Sequence, residues 1–207
     1  MFSSLVNTLF QLHKDRSYPV EDKIPKEVYL ALNWNKTVVA GSYALKQFTG
    51  DNNWEPNDID VMISCGNKDE FLKEAKAFEE KSGALLTKSA WFDHISYQTN
   101  AQTQDDDELF HESVLGSRTY KLDNCNLPIQ LICLDHTKKE FGSSPQSILQ
   151  RTTDIPSCVS YSVSNDGQKM FYVPEKGVEI LATKRGSKED ICNSRFLKYL
   201  TRGYEFY

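Results

Sequence analysis

The sequence predicts an α/β (α+β) fold in which short strands alternate with helices and a helical segment closes the chain, and three observations carry that prediction. Thr37-Val38-Val39-Ala40 is a β-branched, apolar run of strand length, and Gly41 supplies a tight turn into a helix starting near Ser42. Asn57-Asp58-Ile59-Asp60-Val61-Met62-Ile63 begins by alternating polar and apolar residues, the period of a strand. Lys68 to Lys81 instead sets Phe71, Leu72, Ala75 and Phe78 at helical spacing among charges.

The remaining elements follow in order. Ser4 to His13 reads as a helix with Leu5, Leu9 and Leu12 on one face, and Pro25 to Leu32 as another with proline in its first turn. After the strand, helix and strand around Gly41, and the helix from Lys68, His94 to Tyr97 and Ser117 to Leu122 read as strands. The second leads through the Asp123-Asn124-Cys125-Asn126 turn into a buried strand, Ile129 to Leu134. Ser144 to Gln150 is a helix capped by serine with Pro145 at its first position, and Val159 to Val163 with Met170 to Val173 form a hairpin across Asn165-Asp166-Gly167. Glu175 to Tyr207 is expected to be helical. No repeat or low-complexity linker divides the chain, so residues 1–207 are expected to form one unit, with a core over about 34–175 and a C-terminal segment over about 176–207.

The chemistry concentrates at Gly41-Ser42 and Asp58-Ile59-Asp60. Backbone N–H groups at a helix start cradle anions, and Ser42 either caps them or binds a phosphate. Strand geometry sends Asp58 and Asp60 to one face and Ile59, Val61 and Ile63 to the other. Two carboxylates on one face repel each other and are costly to bury unless a cation bridges them. Mg²⁺ suits the pair, because it takes hard oxygen ligands and is often held by one or two carboxylates plus substrate phosphates.

This order of motifs, a hydrophobic strand, Gly-Ser, then Asp-hydrophobic-Asp-hydrophobic, resembles the signature of the polymerase-β-type nucleotidyltransferase superfamily. The resemblance implies a mixed β-sheet flanked by helices. It also implies an NTP substrate, Mg²⁺ (or Mn²⁺) as cofactor, and transfer of a nucleoside monophosphate to an acceptor with loss of pyrophosphate. Carried over by position, Gly41 and Ser42 contact phosphate while Asp58 and Asp60 ligate metal. The connection from Lys46 to Asn57 is long for the family and reads as an inserted loop, whose Trp54 either stacks on a base or covers the core.

Members of that family usually carry a third carboxylate on a neighbouring strand. Here Pro128-Ile129-Gln130-Leu131-Ile132-Cys133-Leu134 offers only Gln130, an amide that positions water or a ligand but takes no proton. Asp135, Asp123 and Asp154 are the possible substitutes. Asp154, followed by the Asp166-Gly167 hairpin, resembles a pattern in a divergent branch of the superfamily found in large DNA viruses, phages and some fungi. Arg195-Phe196-Leu197-Lys198-Tyr199 and Arg202-Gly203-Tyr204 resemble that branch's C-terminal segment. The stretch from Lys176 to Arg202 is rich in cations, either a solvated helix face or the grip on a triphosphate; Lys184, Arg195 and Lys198 are the candidates for that grip.

Composition sets bounds on function. A net charge of −5 argues against a protein that coats polynucleotides, so any RNA contact would be local. The five cysteines are odd in number and lack a Cys-x-x-Cys pair, which points to small core residues in a reducing, cytoplasmic setting rather than to zinc or disulfides. The N-terminal region reads as an amphipathic helix rather than a secretory signal, and no apolar run reaches membrane-spanning length. Asp105-Asp106-Asp107-Glu108 reads as a solvated loop, and the four histidines show no paired ligand spacing.

The sequence therefore predicts a metal-dependent nucleotidyltransferase acting on an acceptor hydroxyl of a protein, an RNA end or a small molecule. A catalytically inactive scaffold of the same fold, binding a nucleotide or a partner protein, is the alternative that Gln130 motivates.

Overall fold

The computed structural model describes residues 21–92, 112–152, 155–191 and 193–207. A short helix, α1 (Lys26–Ala31), precedes β1 (Thr37–Ala40), which runs straight into α2 (Gly41–Thr49). Strand β2 (Ile59–Cys65) then leads to α3 (Lys68–Ser82), β3 (Leu85–Trp91), β4 (Val114–Leu122) and β5 (Cys125–Asp135). Helix α4 (Pro145–Thr152), a 3₁₀ turn at Ile155–Cys158 and the hairpin of β6 (Ser160–Val163) and β7 (Lys169–Tyr172) follow. The chain closes with α5 (Glu175–Thr183), β8 (Arg185–Gly186), α6 (Asn193–Leu200) and β9 (Glu205–Phe206).

Strands β1 to β7 form one mixed sheet in the order β3-β4-β5-β2-β1-β6-β7, in which β2 and β5 are parallel and the other neighbours antiparallel. Strand alternation divides the apolar residues between two cores. Val39, Ile59, Val61, Ile63, Ile129 and Leu131 face the larger one, closed by Val28 of α1, Phe71, Ala75 and Phe78 of α3 and Val178 and Leu181 of α5. Val38, Ala40, Met62, Ile132 and Leu134 face the smaller one, closed by Phe141 and by Ile148 and Leu149 of α4. Tyr199 and Tyr204 belong to the larger core, so the C-terminal segment packs against it.

Helix α3 carries its start signal in sequence: the Asn67 side chain accepts from Glu70 N at 2.9 Å, while Glu70 Oε2 accepts from Gly66 N at 2.8 Å. Gly83 ends it at φ 70°. Phe71, Ala75 and Phe78 are buried as their spacing predicts, with Leu72 half-buried at the margin. The hairpin turns at Gly167, φ 82°, as Asp166-Gly167 predicts.

One expectation needs correcting, and one strand lies where none was expected. The segment from Glu175 is not continuously helical: α5 ends at Lys184, φ 54°, and Arg185–Gly186 pairs in parallel with Glu205–Phe206, bracketing α6. Lys184 stabilises that break, because its ammonium donates to Asp51 Oδ2 and to the Arg202 carbonyl. Strand β3 was not anticipated; it is an edge strand exposed along most of its length, so no alternation of apolar residues marks it. The helix expected at Ser4–His13, the strand expected at His94–Tyr97 and the acidic run from Asp105 lie outside the described residues.

Candidate active site

Strand β1 ends at Ala40, and Gly41 begins α2 with φ 67°, a left-handed conformation that side chains disfavour. A β-carbon at Gly41 would lie 2.8 Å from Asp60 Oδ2, closer than real β-carbons approach any atom. Glycine is thus favoured twice, by the left-handed backbone and by the Asp60 carboxylate, which would have to turn aside for a β-carbon. Ala40 and Asp60 are register partners across β1 and β2, which puts the carboxylate beside the first turn of α2. Ser42 in that turn is buried.

Asp58, immediately before β2, and Asp60 within it are both half-buried, while Ile59 and Val61 between and beyond them are fully buried. Burial first, and then the negative charge of Asp58, raise the Asp60 carboxyl to about 7; Lys198 and Arg195 pull in the other direction. The positive charges of these two residues of α6 thus act on the carboxylate pair. Lys198 is lowered by desolvation and by repulsion from Arg202 and Arg195, with Asp58 and Asp60 offsetting part of that. Lys198 itself is solvent-exposed. Arg202 also senses Asp58 and Asp51.

A clamp holds α6 in that position. The Arg202 guanidinium lies 3.8 Å from the Trp54 ring centroid, and Arg202 is buried, with Nη1 lacking a hydrogen-bond partner. Trp54 packs against the larger core, so of the two roles left open for it the structure supports covering the core, with the cation stacked on its ring. Lys46 donates to the Trp54 carbonyl at 2.8 Å and pairs with Glu55. Lys184 pairs with Asp51 at 2.7 Å, which ties the loop to the C-terminal segment and makes Lys184 part of the clamp. Sequence reasoning missed the Trp54–Arg202 stack, and no local pattern announces a contact between residues so far apart.

Gln130 is the register partner of Asp60 across the parallel β2–β5 pair, so its side chain shares the carboxylate face. Asp135 lies at the other end of that pair, opposite Cys65, about 16 Å along the strand from Asp60. It faces the opposite side, and its carboxylate accepts from Thr137 N and Oγ1 at 2.8 and 2.6 Å. Asp123 is exposed in the β4–β5 turn. Neither Asp135 nor Asp123 joins Asp58 and Asp60, and Asp154 lies outside the described residues. Among the described residues no group of three His, Cys, Asp or Glu side chains could hold a metal ion. The four described cysteines are buried and unbridged.

The donor set nonetheless suits a hard divalent cation. Two carboxylates beside a helix N-terminus, with an opening that only glycine leaves at position 41, offer oxygen ligands to a metal shared with phosphate oxygens. They offer a pair of ligands rather than a cage.

Similar folds occur among solved structures. A CCA-adding enzyme in an apo form matches with a TM-score of 0.52 and 14% identity, over 84% of this chain and 34% of that one. The Thermotoga maritima CCA-adding enzyme complexed with tRNA-CCA matches with a TM-score of 0.51 and 13% identity, over 86% and 34%. A CCA-adding enzyme with ATP matches with a TM-score of 0.50 and 13% identity, over 88% and 35%. This chain spans about a third of the length of those enzymes. No family profile matches the chain, and no curated protein sequence does. The likeness defines the fold: a nucleotidyltransferase-like mixed sheet flanked by helices. Among the described residues no helix is long and apolar enough to cross a membrane.

Proposed function

We propose that this protein transfers a nucleoside monophosphate from an NTP to an acceptor, with Mg²⁺ or Mn²⁺ held by Asp58 and Asp60. The observation that carries the reading is the seat of Asp60 against Gly41, from which the carboxylate and the N-terminus of α2 could share one ligand. Ser42 and the first N–H groups of α2 take phosphate oxygens. A divalent ion on the pair would neutralise triphosphate charge and polarise the attacked phosphorus. Arg195 and Lys198, whose charges act on the same carboxylates, stabilise the charge that builds on departing pyrophosphate, with Arg202 as a third cation acting on Asp58. The acceptor oxygen bonds to the α-phosphorus as the bond to the β-phosphate oxygen breaks.

The similarity to nucleotidyltransferase structures supports a nucleotide substrate. The C-terminal segments that supply Arg195, Lys198 and Arg202 support kinship with the divergent branch of large DNA viruses, phages and fungi. A second reading, a nucleotide-binding scaffold without transfer, draws on Gln130 as the neighbour of Asp60.

Thermal-shift titration with each NTP and Mg²⁺, paired with an assay for pyrophosphate, tests both. Saturation at a hundredfold excess over Kd stabilises by about 2.7 kcal/mol, an increase of roughly 5–10 °C in Tm for a chain of this size. Asp58→Ala/Asp60→Ala abolishes the increase if the site is as described; an equal increase in that variant overturns the assignment. A shift without pyrophosphate under any acceptor supports the scaffold.

A further inference from the structure

One row of side chains crosses the sheet on the carboxylate face. Lys88 of β3, Thr119 of β4, Gln130 of β5, Asp60 of β2 and Ala40 of β1 are successive register partners. Register partners project to the same face, with about 5 Å between neighbouring strands. Ser117, paired with Ile132, adds a hydroxyl to that face. Ser117, Thr119 and Gln130 are half-buried and Lys88 is exposed, so this strip is open, whereas Ile132 and Leu134 farther along β5 are buried in the smaller core.

An amide, two hydroxyls and an ammonium all donate hydrogen bonds. A carboxylate in the place of Gln130 would repel an anionic nucleophile arriving beside Asp60; the amide donates to it. A hydroxyl acceptor must lose a proton to something as it attacks, and apart from Asp60, which the reading above gives to the metal, no side chain of this strip among the described residues is a base at neutral pH. A phosphate monoester needs no such help, since its second ionisation lies at about pH 6.

We propose that the acceptor is a small phosphate monoester, seated by Gln130, Thr119 and Lys88, and that the product is a phosphoanhydride. This deepens, and rests on, the nucleotidyl-transfer reading above, and it replaces the hydroxyl acceptor that the sequence led us to expect. An oxygen of the monoester dianion forms the new bond to the α-phosphorus. The bond between the α-phosphorus and the β-phosphate oxygen breaks, its electron pair leaves with pyrophosphate, and no proton passes from acceptor to protein. The remaining oxygens of the monoester accept from the Gln130 amide, the Thr119 hydroxyl and the Lys88 ammonium.

The test uses the full chain with Mg²⁺, each NTP and acceptors in matched pairs: ribose 5-phosphate and ribose, glycerol 3-phosphate and glycerol, phosphoserine and serine. Pyrophosphate release is measured, and ³¹P NMR identifies the product. A phosphorylated member should exceed its partner by about 100-fold or more, the scale of the general base that a hydroxyl would need. Lys88→Ala, on an exposed edge strand, should raise KM for that phosphate acceptor about tenfold, the worth of one charge-assisted contact, and leave KM for NTP unchanged. Equal release with the unphosphorylated partners overturns the proposal, as does an unchanged acceptor KM in Lys88→Ala. An NTP-dependent thermal shift that Asp60→Ala abolishes, with no phosphate acceptor used, overturns it while sparing the parent reading. Absence of that shift overturns both.

Discussion

Replacing Gly41 with alanine tests whether the Asp60 carboxylate is seated where the fold puts it. Two costs are separable. The left-handed backbone alone penalises alanine by roughly 1–2 kcal/mol, reduced by the entropy that alanine removes from the unfolded chain, for a net of about 1 kcal/mol. Gly83 supplies the control, because it has φ 70° and nothing within 4 Å of its would-be β-carbon. Gly83→Ala should therefore show the backbone cost alone. At Gly41 the new methyl would meet Asp60 Oδ2 at 2.8 Å, with φ 67°. Relieving that contact costs about 1–3 kcal/mol more, a further drop in Tm of roughly 2–12 °C for a chain of this size. The assay is urea unfolding of Gly41→Ala, Asp60→Ala and the double variant, in which deletion of the carboxylate should recover most of the extra cost. The same Gly41→Ala protein should lose its Mg²⁺-dependent response to NTP. Costs equal to Gly83→Ala and additive with Asp60→Ala would refute the reasoning, since no carboxylate could then stand against that glycine.

Two further outcomes test the surroundings. Arg202→Ala, which strips the stack from Trp54, should lower stability by about 1–2 kcal/mol and weaken NTP binding; Arg202→Lys should recover little of either, because an ammonium cannot stack as a planar guanidinium does. Full recovery by lysine, read by urea unfolding and thermal shift, would show that charge alone matters. Asp22 accepts from Tyr29 Oη at 2.7 Å and Tyr43 Oη at 2.8 Å and pairs with Lys169 at 2.8 Å. Burial tends to raise its carboxyl, but the bonds from Lys169 and Tyr29 outweigh it and hold the group below the ordinary carboxylate value of 3.8. A folded-state value below the unfolded one gives stability that is present above pH 4 and lost as pH falls through the folded value. Acid titration of Asp22→Asn should accordingly show the deficit against wild type at pH 6 shrinking below pH 4; a deficit that stays constant to pH 2 would contradict the ionised state.

Parts of this molecule were legible because their signals are local. Period-two alternation put Asp58 and Asp60 on one face and Ile59 and Val61 on the other, helical spacing buried Phe71, Ala75 and Phe78, and Asp166-Gly167 marked its hairpin. Strand β3 was hidden because an edge exposed on both faces needs no alternation. The break at Lys184 was hidden because its support comes from Asp51 and the Arg202 carbonyl, which only the folded chain brings near.

By itself, then, the sequence marked the strands, turns and helices whose apolar periodicity or turn chemistry is local, and showed which residue types could bind phosphate or metal. Only the tertiary structure decided that Gly41 leaves space for Asp60, that Gln130, Thr119 and Lys88 extend the row from Asp60, and that Arg202 stacks on Trp54. Strand order and register determine those neighbours. They are set by the burial of whole sheet faces against α3, α4 and α5, a property of the assembled chain rather than of any window along it.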